Sequence, residues 1–295
     1  MIEIKDVTVS YKNHKVLDQL SLSAEKGEII GLAAPNGTGK TTLFNVMANY
    51  VKPNQGSIVF NEEYTYKSEK DQLKIHKQLT TFPDQSDLFE ELSGVDHIKL
   101  YKHMWKGQKK VKDITRELNM EGYVKNKVKT YSLGMRQRLC FAMMVAADSS
   151  IMLMDEVMNG LDISNVSLIS QKLIEMKNEQ KLIFVASHLL ENLDLYADRV
   201  LFLKDGDIIH QHRPNQHEQT YLKIKATPET YHEIKQMIDL PEDHEYIAEH
   251  LLCLPFSNLP LNEQTYWMKQ LLKFDEELSI GPLGTLEYYE KYYQI

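Results

Sequence analysis

The segment that most restricts this chain is Ala34-Pro-Asn-Gly-Thr-Gly-Lys40-Thr41, which follows the apolar run EIIGL and opens the helical pattern KTTLFNVM. Small residues let backbone N–H groups close around an anion, and a helix beginning near Gly39 adds the positive end of its dipole. Lys40 then reaches the β- and γ-phosphates of a nucleotide, and the Thr41 hydroxyl ligates Mg²⁺. Asn36, Gly37, Thr38, Gly39 and Thr42 complete the cradle. The loop's usual first glycine is Ala34 here, a methyl group that could tighten it.

Two further apolar runs end in polar groups suited to the same ligand. IMLM leads into Asp155-Glu156, so a buried strand delivers two acids at its carboxyl end, where ligands bind in open α/β sheets. Asp155 is placed to hold Mg²⁺, and Glu156, one residue beyond, to orient or deprotonate an attacking water. LIFVA leads into Ser187-His188, which brings His188 to the same edge, within reach of a γ-phosphate.

The surrounding pattern reads as α/β. Short strands open the chain: Ile2, Ile4, Val7 and Val9 keep nearly a two-residue period, and Leu20–Ser23 continues it. GSIVF is a strand, about 85–150 is mostly helical, and a helix is expected at roughly 164–178. VLFLKDGDII closes this part. The polar, proline-bearing HRPNQHEQ marks a linker, so residues 1–211 read as one domain and 212–295 as a small α+β domain. Its β-α-β-β-α-β order is the split βαβ, or ferredoxin-like, arrangement.

Charge and composition narrow the partners. A net charge of -8 argues against nucleic acid. The two cysteines, Cys140 and Cys253, lack metal-ligand spacing and fit a reducing cytosol. The longest apolar stretch, Cys140–Ala147, falls far short of the ~20 residues that cross a bilayer. His244 and His250 read as surface histidines.

Tyr131-Ser-Leu-Gly-Met-Arg-Gln-Arg138, ahead of an apolar helix, completes the set. With the phosphate loop, the acids and His188, residues 1 to about 210 resemble the ATPase subunits of ABC transporters. The resemblance implies a phosphate-loop core of mixed sheet, an antiparallel β layer and a helical subdomain over about 85–150. It implies ATP and Mg²⁺ as ligands, and two cassettes meeting head to tail, as a homodimer or with a paralogue. In that arrangement Ser132 and the Gly134 backbone contact the γ-phosphate bound to the opposite subunit. Tyr11, upstream of Val16, resembles the residue that stacks on adenine, and His188 the switch histidine. Asp162 of Asn159-Gly-Leu-Asp162 resembles the residue that crosses the dimer interface, with Val157 in place of the usual proline. The loop Phe82-Pro83-Asp84-Gln85-Ser-Asp-Leu88-Phe89 resembles the glutamine loop that senses γ-phosphate and contributes to the metal site. The expected glutamine position holds Asp84, with Gln85 one residue late, and either could fill that role.

The resemblance further implies a separate integral-membrane subunit and a place on the cytoplasmic face of the cell membrane. The S-x-G-x-x-Q-R form and the tail Gly284-Thr-Leu-Glu287 favour export of drugs, lipids or antimicrobial peptides. An importer ATPase, or an ABC-type ATPase acting on ribosomes or DNA, is the alternative. Ribosomal types usually carry two cassettes in one chain, and DNA-repair types split their motifs around a coiled coil. Here Lys40 and Ser132 are only about ninety residues apart.

Overall fold

The computed structural model describes residues 1–12, 14–214, 216, 219–257 and 259–294, which fall into two compact units, Met1–Gln211 and His212–Ile295. Of the expected linker, Asn215, His217 and Glu218 lie outside the described residues.

The first unit begins with β1 (Ile2–Tyr11), β2 (His14–Ala24), β3 (Glu28–Ala33), α1 (Lys40–Met47) and β4 (Gln55–Phe60). It continues through α2 (Glu69–His76), β5 (Leu79–Thr81), α3 (Gly94–Trp105), α4 (Val111–Glu117) and α5 (Leu133–Ala147). It ends with β6 (Ile151–Asp155), α6 (Ile163–Asn178), β7 (Leu182–Ala186), α7 (Leu190–Leu193), β8 (Arg199–Lys204) and β9 (Asp207–His212).

Strands β3, β6 and β7 are buried almost throughout, which is why they pair in parallel within a sheet of order β5-β6-β7-β3-β8-β9. β9 returns beside β8 through Asp205 and Gly206, both at positive φ, the turn chemistry of a tight hairpin. β1, β2 and β4 form a separate antiparallel layer. β1 and β2 are longer than their periodicity suggests. Asp6 and Gln19 sit at positive φ beside register shifts, and these irregularities break the two-residue pattern.

α2 and β5 are additions that the sequence pattern passes over. α2 is capped by Ser68, whose side chain accepts from Asp71 N–H, but it buries only Ile75 and has almost no apolar stripe. β5 has three residues, too few to show a period. α5 differs in the opposite sense: every residue from Leu139 to Ala147 is buried, so it is the core helix of the helical region, packed on α3.

The second unit runs β10 (Tyr221–Lys225), α8 (Pro228–Met237), β11 (Glu245–Ile247), β12 (Leu251–Pro255), α9 (Leu261–Leu271), β13 (Ser279–Gly281) and α10 (Thr285–Tyr293). Its antiparallel sheet has the order β11-β12-β10-β13, the connectivity of a split βαβ unit. Leu222 and Ile224 of β10 and Leu252 and Leu254 of β12 face Ile234 of α8 and Trp267 and Leu271 of α9. On the alternate positions, Lys223 Nζ reaches Glu287 of α10 at 2.6 Å. Leu254→Ala empties a fully buried site and is expected to cost about 2–5 kcal/mol. Equilibrium denaturation followed by tryptophan fluorescence in a Trp105→Phe background checks this, since Trp267 lies in the same core.

Candidate active site

The phosphate loop is shaped by two glycines. Gly37 and Gly39 lie at φ 83° and 110°, a region side-chain-bearing residues avoid. A Cβ on Gly39 would also stand 2.9 Å from the Val16 carbonyl oxygen, so only glycine lets the loop approach β2. That approach sets half-buried Val16 against the loop, while Tyr11 stands half-exposed at the end of β1. Ala34 is buried and outside the positive-φ set, so its methyl group strains no backbone.

Thr38 Oγ1 donates to Pro35 O at 2.8 Å, closing the loop on itself. Lys40 is 6% exposed, and its ammonium donates to the carbonyls of Ala34 and Pro35. Burial pushes its pKa below that of an ordinary lysine, and the nearby Glu156 and Asp155 carboxylates pull it partly back. Asn36 is exposed, and Thr42 is half-buried in the first turn of α1.

The acids arrive where the sheet directs them. Asp155 ends β6, and Thr41 Oγ1 donates to its Oδ2 at 3.0 Å. Glu156 extends the pairing with β7 by one bond, its N–H donating to Ala186 O at 2.9 Å, while its φ turns to 53°. That turn carries its side chain off the strand. His188 Nε2 comes within 3.1 Å of Glu156 Oε1, and both carboxylate oxygens are shielded from solvent. Burial pushes the Glu156 carboxyl above the ordinary carboxylate range; His188 opposes that shift, and Asp155 adds to it.

These groups open into a cleft of about 770 Å³ lined by Thr41, Tyr50, Asp84, Gln85, Asp155 and Glu156. The donor set fits Mg²⁺. A hydroxyl and a carboxylate already face each other, a second carboxylate is left with spare lone pairs, and all are hard oxygens.

Asp84 and Gln85 separate. Asp84 Oδ1 accepts from Ser86 N–H at 2.7 Å and from Ser86 Oγ at 2.6 Å, bonds that hold its carboxyl below the usual range. Gln85 donates instead to the side chain of Gln137.

Two other expected residues make helix-cap contacts. Ser132 caps α5, accepting from Met135 N–H at 3.3 Å, and Asp162 caps α6, accepting from Asn165 N–H at 2.9 Å. Hydrogen bonds from Ser164 and Asn165 keep the exposed Asp162 carboxyl low. Leu133 packs over Gly160, where a Cβ would meet it at 2.7 Å, so the Tyr131–Arg138 turn leans on the Asn159–Asp162 loop. The sequence reading missed Gln137 as a site residue. Its signal was an amide at the edge of the fully apolar run of α5, where a buried polar group needs partners.

A phosphate-cradling loop facing two strand-end acids and a histidine defines a phosphate-loop nucleotide hydrolase. A family model described as ABC transporter matches residues 17–159. An uncharacterized ABC transporter ATP-binding protein of Bacillus subtilis, YhcH, is 32% identical over 213 residues, 71% of this chain and 68% of that protein. The SkfA peptide export ATP-binding protein SkfE of the same organism is 28% identical, over 71% of this chain and 87% of its own. Among solved structures, a dimeric ATP-binding cassette bound to ADP and Pi shares the fold with a TM-score of 0.64 at 22% identity, covering 73% of this chain and all of that one. The chain therefore belongs to the ATP-binding proteins of ABC transporters, and it is an ATP hydrolase.

Proposed function

We propose that this chain powers export of a peptide or similar amphipathic cargo through a separate membrane subunit, working as a head-to-tail pair of cassettes on the cytoplasmic face of the membrane. The observation that supports the paired arrangement is the pattern of contacts within one chain. Lys40, Thr41, Asp155, Glu156 and His188 converge, whereas Ser132, Gly134 and Asp162 make their contacts elsewhere. Two copies placed head to tail bring Ser132 and the N-terminus of α5 of one to the loop of the other. Likeness to a peptide export ATP-binding protein, together with the S-x-G-x-x-Q-R form and the Gly284–Glu287 tail, supports export.

In this reading the ATP triphosphate takes the loop N–H groups and the Lys40 ammonium. The lysine then exchanges the Ala34 and Pro35 carbonyls for phosphate oxygens. Tyr11 and Val16 take the adenine. Thr41 and Asp155 would hold Mg²⁺, which would neutralise charge on the phosphates. The Asp84–Gln85 loop responds to the filled site. Glu156, with free lone pairs and a raised pKa, takes the proton of the attacking water, and His188 steadies the carboxylate and the γ-phosphate. Ser132 and the Gly134 N–H of the second copy close over the same phosphate.

Affinity purification from detergent-solubilised native membranes tests the assignment. A multi-helix membrane protein at comparable abundance is expected. Recovery only with ribosomes or DNA contradicts it.

A further inference from the structure

A residue with a side chain stays in the left-handed region only when its surroundings fix it there. Three hydrogen bonds fix Glu156: its N–H to Ala186 O at 2.9 Å, Asn159 N–H to its carbonyl at 3.2 Å, and Gln137 Nε2 to the same carbonyl at 2.8 Å. The first two belong to the sheet and the turn itself. The third reaches across from α5 through a side chain that is 3% exposed.

Gln137 spends its donor on Glu156, so its Oε1 faces away, and there it accepts from Gln85 Nε2. Gln85 opens the 3-10 turn at Gln85–Asp87, whose cap is Asp84. An unbroken amide chain therefore runs from the loop after Pro83 to the backbone of Glu156.

We propose that Gln137 is a positioning residue for hydrolysis: it transmits the placement of the Pro83–Leu88 loop to the Glu156 carboxylate, with Gln85 as its input. With the loop seated, Gln85 pins Gln137 Oε1, and Nε2 pins the Glu156 carbonyl. With the loop displaced, Oε1 loses its partner, and nothing then holds the amide in the orientation that aims Nε2 at the Glu156 carbonyl. A loosened amide no longer pins the Glu156 carbonyl and lets the residue leave its left-handed conformation, carrying the carboxylate away from the attacking water. Hydrolysis is thereby tied to the position of a loop that also lines the cleft. The inference rests on Glu156 acting as the base.

Steady-state ATPase assays on the full chain test it, using Gln137→Met, Gln85→Met, the double variant and Gln137→Glu. Methionine keeps the volume and removes the amide. Each single methionine variant is expected to lower kcat about 10- to 100-fold, the scale of a misplaced catalytic group, with little change in KM for ATP or in Tm. The double variant should be no slower than Gln137→Met, because the path is serial. Gln137→Glu keeps the acceptor for Gln85 but sets a carboxylate against the Glu156 carbonyl, so it should fall as far. Gln85 is only half-buried, so its variant reports even where a Gln137 variant folds poorly. Unchanged kcat, effects that multiply in the double variant, or a rise in KM alone would overturn the proposal. If Glu156→Gln is inactive while the methionine variants are fully active, this inference fails and the assignment of the base stands. If Glu156→Gln still turns over, the base assignment itself fails.

Discussion

Glu156→Gln lowers kcat for ATP hydrolysis by about a thousandfold, within the range for loss of a positioned general base and equivalent to about 4 kcal/mol of barrier. Glutamine keeps the shape of the side chain, and the three hydrogen bonds to the Glu156 backbone do not involve the carboxylate. Nucleotide affinity is therefore retained while turnover is lost. Phosphate release and equilibrium binding of a fluorescent ATP analogue separate the two. The same variant is expected to melt at a higher temperature. Burial raises the pKa of Glu156 in the folded chain, so its ionised form opposes folding at neutral pH, and a neutral amide removes that cost. A gain in Tm with a loss of kcat marks a residue kept for chemistry rather than stability.

Lys40→Met produces the complementary result. The ammonium is the only cation hydrogen-bonded to the phosphate-loop carbonyls among the described residues, and methionine preserves its length but not its charge. Loss of charge-assisted bonds to phosphate, worth about 3–4 kcal/mol in a water-poor site, reduces kcat/KM by roughly two to three orders of magnitude. Binding fails here, unlike in Glu156→Gln. Methionine also gives up the hydrogen bonds to Ala34 and Pro35, so Tm is measured beside activity. A fall in Tm would mean that the loss of activity reflects unfolding.

How far the sequence spoke for the structure depended on what kind of signal each residue carried. β3, β6 and β7 were legible because a parallel strand covered on both faces is apolar at every position, and each carries its polar group at the carboxyl end. The loop was legible because Gly37 and Gly39 stand where only glycine fits comfortably. In the second unit, Thr227-Pro228 and Pro260 mark the starts of α8 and α9. α2 was not legible, since a helix that buries one residue leaves no stripe. Gln85 and Gln137 were opaque for another reason. Their pairing spans 52 positions and exists only because α5 and the Pro83–Leu88 loop meet. Motif spacing described each segment alone, so Asp84 and Gln85 looked interchangeable; the fold gives one to Ser86 and the other to Gln137.

In the proposed arrangement two cassettes share each hydrolysis site. Sedimentation velocity of the Glu156→Gln chain with and without ATP and Mg²⁺ tests this most directly. The expected result is a monomer without nucleotide that becomes a dimer with ATP, and a second substitution, Ser132→Arg, that prevents dimerisation while leaving ATP binding intact. A Glu156→Gln chain that saturates with ATP and remains monomeric, or a dimer indifferent to Ser132→Arg, would contradict it.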